Sequence, residues 1–277
     1  MALNEVENLQ GALDIPDPND FSADHIFGAP IMVDLPEKVM LDCVPSHNQG
    51  KSWHCTAYGI CHIHEIQNSR EFGKTITMDP EEQWANQCEV RGVPLGITGG
   101  DSLQNALKTL LKYGLKNTKN PDINIPVWRM TGYAFVDKNL DNFRAYLAQG
   151  FPIYTGWKEH CFCLVGYDNN KNIFIAKNSY GPTDGLNHNG TFDIAYSDIA
   201  KLFSGYIGYD KKDIPMIFRD VSTNSPNADA IKFALDKNLM MGYGSEPLAT
   251  DRLFRPDQPM TRAEFAVVLK RLYEQLK

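Results

Sequence analysis

The chain has 277 residues, 43% of them hydrophobic, enough for one large domain with a real core and a smaller one beside it. Its formal net charge of −7 and pI near 5.5 leave no basic footprint of the kind that phosphate-backbone binding needs, so no nucleic-acid partner is expected. No apolar run approaches the ~18 residues of a membrane span.

The opening stretch, "MALNEVENLQGALDIPDPND", is acidic and lacks both a basic n-region and an apolar h-region, so it does not read as a secretory signal. Residues 1–34 are polar and rich in Asp, Asn and Pro, and are expected to form an irregular leader. "TAYGICHIHEIQNS" reads as a helix with Cys55 at its N-terminal end. In "GGDSLQNALKTLLKYGL", Leu103, Ala106, Leu107 and Leu110 fall at helical spacing, with Asp101 as N-cap and Gly114 as stop. A second amphipathic helix carries Leu140, Phe143 and Leu147 and ends at Gly150. Beyond it the periodicity changes: "FPIYTGW", "HCFCLVGY" and "IFIAKNSY" are short β-rich runs separated by turn residues. A helical first half and a strand-rich second half give an α+β arrangement of two packed parts.

Composition shifts again after "GYDKKDIP", which places a boundary near residue 215. The last helix opens with a capping box, Thr261 and Glu264, and Phe265, Val268, Leu269 and Leu272 then make an apolar stripe. Two helices and a Gly-containing loop form a module of about 60 residues, marginal alone by size.

Six cysteines stand at 43, 55, 61, 88, 161 and 163. Cys161 and Cys163, two apart in a strand-like run, are expected to point to opposite faces and so not to bridge each other, and the usage reads as mostly reduced thiols. Cys55 has the position of a nucleophile, because a helix N-terminus and a nearby imidazolium both lower a thiol pKa. His160, at the start of a strand, is the strongest candidate base, and Asn178, at the end of the next, can hold its second ring nitrogen. Gln49 would join the Cys55 backbone N–H as a donor to a tetrahedral oxyanion. A metal reading of "HCTAYGICHIH" is weaker: His62 and His64 diverge on a helix, and Cys61, His64 and Glu65 share a face without a second ligand cluster. No metal or organic cofactor is expected.

Five blocks, in order, resemble the papain-like (C1 family) cysteine peptidases between about Leu35 and Gly208: "LPEKVMLD", "NQGKSWHCTAYG", "GGDSLQNALKTLLKYGL", "HCFCLVGYD" and "AKNSYG". The resemblance implies a papain-like two-part fold over residues 35–214 and a thiol protease, by default an endopeptidase acting on extended protein segments. Carried over residue by residue, Cys55 is nucleophile, His160 base and later acid, Asn178 orienter and Gln49 oxyanion donor. Gly99 and Gly100 become the backbone edge along which a peptide pairs, and Trp53, Cys161 and Tyr180 further contacts to substrate. The chain departs from the pattern around its nucleophile, where Trp53, His54 and Thr56 replace the usual neighbours and Ser52 removes a disulfide cysteine. Cys55 and His160 are also closer in sequence than in the family, the missing length falling in a loop that lines the specificity pocket. A 34-residue leader is too short for the family's inhibitory propeptide, so no zymogen is expected.

Residues 215–277 resemble a single S-layer homology (SLH) module, through "FRDV", "AIKFALDKNLMMGYG" and above all "TRAE". That resemblance implies Arg262 as a contact to an anionic cell-wall polysaccharide. Such modules normally act in threes, so either three chains assemble as a homo-trimer or the single copy serves contacts with other proteins. The module implies a cell-surface, extracellular or virion-associated setting, whereas the absent signal and reduced thiols point to folding inside a cell. A catalytically idle fold serving as a structural or binding protein of a cell surface or virus particle, and acyl transfer other than hydrolysis, are the competing readings.

Overall fold

The computed structural model describes residues 11–15, 17, 20, 22–24, 35–42, 44–97, 99–116, 125, 127–183, 190–209, 216–218, 221–222, 227–243, 253–256 and 258–275. Cys43 lies outside them. The chain divides into two compact units, one of residues 1–20 and 31–209, the other of residues 21–30 and 210–277.

In the first unit, strand β1 (Lys38–Met40) precedes helices α1 (Cys55–Phe72), α2 (Pro80–Arg91) and α3 (Leu103–Tyr113). Then come β2 (Gly132–Val136), α4 (Leu140–Ala148), β3 (Ile153–Trp157), β4 (His160–Asp168), β5 (Ile173–Lys177), β6 (Thr191–Ala195) and β7 (Gly205–Tyr209). Among the described residues the strands form one sheet in the order β2-β7-β3-β4-β5-β6, with β1 paired to β4 and every pairing antiparallel. This is the expected α+β division.

Helix α2 has signals that the sequence reading passed over. Asp79 accepts from the backbone N–H groups of Glu81 and Glu82, Pro80 fits the first helical turn, and Gly92 closes the helix in the left-handed conformation. The cap of α3 corrects an expectation: Ser102, not Asp101, accepts from Asn105 N–H. Asp101 is buried instead, accepting from Gln87 and Asn105 side chains at 2.6 Å and facing Arg91 at 3.8 Å. Those partners occupy it, leaving the cap to the next hydroxyl.

The core lies between the helices and the sheet. Leu103, Ala106, Leu107 and Leu110 of α3 are fully buried with Ile60 and Ile63 of α1 and Cys161, Cys163 and Val165 of β4. Burying a leucine this way stabilises the fold by roughly 1.5–3 kcal/mol. Cys161 and Cys163 share the core-facing side of the sheet rather than pointing to opposite faces as expected, because residues two apart on a strand line one face; both are free thiols, as are Cys55, Cys61 and Cys88.

The second unit contains a hairpin of β8 (Met216–Phe218) and β9 (Val221–Ser222), and helices α5 (Ala228–Asp236) and α6 (Arg262–Gln275). Phe218, Val221, Ala228 and Ile231 form its small core, with Leu235 and Phe254 packed against it. The capping box closes α6 as written in the sequence: Glu264 N–H donates to Thr261 Oγ1 at 3.2 Å, and Glu264 Oε2 accepts from Thr261 N–H at 2.7 Å. The apolar stripe of α6, however, is largely exposed, including Phe265, Leu269 and Leu272.

Candidate active site

Cys55 is the first residue of α1, following His54, whose carbonyl accepts from Ala57 N–H at 2.9 Å. The helix delivers its N-terminal turn to the start of β4. The Cys55 thiol lies 4.0 Å from the backbone oxygen of Glu159, and the N–H of Cys161 reaches the same sulfur. The two residues flanking His160 therefore both meet Cys55.

His160 is held from the other side. Its Nε2 is 2.8 Å from Asn178 Oδ1, leaving Nδ1 3.4 Å from the Tyr180 hydroxyl. Tyr180 stacks on the imidazole with ring centroids 5.0 Å apart and planes 15° from parallel. Asn178 follows β5, the strand paired with β4, so sheet register places the two side chains together. Asn178 Oδ1 also accepts from Ser179 N–H at 2.9 Å, which fixes the amide orientation.

The segment before α1 is tied to the same corner. Gln49 N–H donates to Ser179 O at 2.8 Å, Gly181 N–H donates to His47 O at 2.9 Å, and Asn48 bridges Tyr180. The Gln49 side chain accepts from Ser179 Oγ and donates to Ser52 O at 2.7 Å. Its amide is thus anchored at both ends, with a second N–H left over from its pair of donors. Trp53 and Tyr180 are exposed beside this corner. Cys161 is wholly buried, its sulfur against Gly59 of α1 and the ring of Tyr154, so it packs helix to sheet.

The leader, expected to be irregular and too short for an inhibitory propeptide, runs along this groove. Ala12 N–H donates to Glu159 O at 2.7 Å, Leu13 N–H donates to Asp101 O at 2.9 Å, and Leu103 N–H donates to Leu13 O at 3.1 Å. Leu13 pairs with Ser102 as a parallel bridge. Farther on, Ile15 N–H donates to Gln104 Oε1 at 3.2 Å, and Asp14 accepts from Ser204 N–H at 2.8 Å. Ala12 is fully buried in the same apolar cluster as Cys55. Two glycines make the crossing sterically feasible. A Cβ on Gly11, at φ +84°, would meet Glu159 O at 1.8 Å, and one on Gly100 would meet Gly11 O at 1.3 Å. Gly99 is buried beside it.

Burial sets the electrostatics. It pushes the Cys55 thiol up to about 11, against backbone N–H groups of Cys161, Thr56 and Cys55 that pull it down. Burial also lowers the His160 pKa, opposed by the Asn178 hydrogen bond. With the leader in the groove, both groups favour their neutral forms. Arg262 is exposed at the start of α6, in the second unit.

Comparisons with known proteins agree with this architecture. A family model for the S-layer homology domain matches residues 217–266. An uncharacterised peptidase C1-like protein of Acanthamoeba polyphaga mimivirus is 24% identical over 271 residues, covering 79% of this chain and 84% of that protein. A cellulosome-anchoring protein of Acetivibrio thermocellus is 33% identical over 132 residues, which is 46% of this chain but 25% of that protein. Among solved structures, xylellain, a cysteine protease from Xylella fastidiosa, superposes with TM-score 0.61 and 19% identity, covering 73% of this chain and 96% of its own. The first unit therefore has the papain-like fold, and the chain also carries an S-layer homology module. No described helix is long and apolar enough to cross a membrane.

Proposed function

We propose that this papain-like fold is a working cysteine peptidase, held latent by residues 11–15 of its own leader. The observation that carries the reading is the convergence on one corner of a helix-tip thiol, an imidazole between Glu159 and Cys161, and an amide 2.8 Å behind that imidazole. In the open groove the Cys55 sulfur regains solvent, and the helix terminus and an adjacent imidazolium favour its thiolate. The thiolate adds to the scissile carbonyl carbon, and the oxyanion takes hydrogen bonds from Cys55 N–H and the Gln49 amide. His160 gives its proton to the leaving amine while Asn178 holds the ring. Water, deprotonated by His160, then releases the acyl group and restores the thiol. An extended peptide would take the place of the leader, using Glu159 O and the Gly99–Gly100 edge, with Trp53 and Tyr180 along its sides.

The S-layer homology module would hold the enzyme at a cell or particle surface, with Arg262 toward an anionic polysaccharide. The exposed Phe265, Leu269 and Leu272 of its last helix suit a homo-trimer in which three single modules cover one another. A second reading, an idle fold used for binding, is favoured by one observation: Ala12 fills the groove and the thiol is neutral there.

Hydrolysis by the Gly11→Val chain separates the two. That side chain collides with Glu159 O, so the leader cannot dock. We expect new peptide N-termini from an unfolded protein substrate, lost by at least ~10⁴-fold on adding Cys55→Ala. No cleavage by the folded Gly11→Val chain supports the idle fold. Released amine without new N-termini supports acyl transfer.

A further inference from the structure

Two turns along α1 from Cys55, three side chains from two segments meet at one point. His62 and Glu65 are three residues apart on α1 and share a face; His47 comes from the segment ahead of the helix. One ligand atom from each lies within 4.8 Å of the others. His62 is fully buried, and neither of its ring nitrogens has a hydrogen-bond partner. Glu65 is equally buried: its Oε1 accepts from Met78 N–H at 2.9 Å and faces His47 Nε2 at 2.5 Å, while Oε2 has no partner. The His47 and His62 rings are stacked, 5.6 Å between centroids and 8° from parallel. An imidazole buried with both nitrogens unsatisfied carries its whole desolvation cost uncompensated, which native interiors avoid.

We propose that His47, His62 and Glu65 bind a zinc-type transition-metal ion. Two imidazoles and one carboxylate suit Zn²⁺, or Co²⁺ in its place, better than Ca²⁺ or Mg²⁺, which take oxygen ligands. The fourth position is for water, reached past His47, whose side chain is 17% exposed. Burial holds His62 neutral, the form that coordinates. Lys177 is close enough to disfavour a positive charge at His62, and its ammonium donates to Val44 O rather than joining the ligands. Bound metal would clamp the segment carrying Gln49 to the helix carrying Cys55.

The test uses the full chain with Cys55→Ala, so that the cleft thiol cannot bind the ion, stripped of metal with a chelator. Elemental analysis after gel filtration should find one zinc per chain. Zinc at a hundredfold excess over its Kd should raise the Tm by roughly 5–10 °C. Cobalt should give visible d–d bands without sulfur-to-metal charge transfer. His62→Leu fills the same space with apolar atoms, and should keep or raise the metal-free Tm while abolishing the zinc-dependent rise. His47→Asn, at a partly exposed position, should likewise abolish the rise and serves if His62→Leu does not fold. No retained zinc, an undiminished shift in either folded variant, or a thiolate charge-transfer band would each overturn the assignment.

Discussion

Helices α3 and α6 carry the same kind of apolar stripe and end in opposite situations. In α3, Leu103, Ala106, Leu107 and Leu110 are fully buried against α1 and the sheet. In α6, Phe265 and Leu269 are about half exposed, at 55% and 48%, and the core of that unit is made by Phe218, Val221, Ala228 and Ile231 instead. Periodicity says that a face wants cover; it does not say that the cover lies in the same chain. The first unit has a seven-stranded sheet to supply it, and the described elements of the second include a short hairpin and the helix α5.

The sharpest way to break this contrast is a pair of truncations read by urea denaturation. Leu107→Ala should cost about 2–5 kcal/mol, because it opens a cavity in a closed core. Leu269→Ala should cost under about 1 kcal/mol in a monomer. A large cost at Leu269 that grows with protein concentration would mean that copies of the module cover one another. Oxyanion support ranks next: in the Gly11→Val chain, Gln49→Ala should lower kcat by roughly 10²–10³-fold with the fold intact. Smaller again is the cap of α6. Thr261→Ala should cost the second unit about 1 kcal/mol and leave the first unit's melt unmoved; a shift in both would show that the two units unfold together.

The pH dependence sharpens the account of the groove. Burial raises the Cys55 thiol, so in the intact chain the thiolate is scarce below about pH 11 and alkylation should keep accelerating through that range. In the Gly11→Val chain the midpoint should fall, because the desolvation that raised it is relieved. Identical profiles would show that the leader does not govern the thiol.

What the sequence carried and what it withheld divide along contact range. Helix α1 and its leading Cys55, the stop at Gly114 and the Thr261–Glu264 box depend on residues within a turn of each other, and pattern reveals them. Ordered blocks brought out His160 and Asn178 although their meeting depends on strand register. The cap of α3 was misassigned because Asp101 and Ser102 are both good caps, and only the distant Gln87 and Arg91 decide which is free to act. The leader's course was illegible for the same reason: Gly11 and Ala12 are unremarkable until Gly100 and Glu159 O are placed opposite them. His47 gave no sign of meeting His62 and Glu65, since neither its spacing nor its neighbours mark it.

The central claim is that Cys55 is a nucleophile poised by His160 and masked by the leader. Mass spectrometry of the Gly11→Val chain after brief exposure to iodoacetamide at pH 6 tests it most directly. The account predicts that Cys55 is modified well ahead of every other cysteine, and that adding His160→Ala removes this advantage. Labelling of Cys55 no faster than that of Cys88, or undiminished without the imidazole, would contradict it.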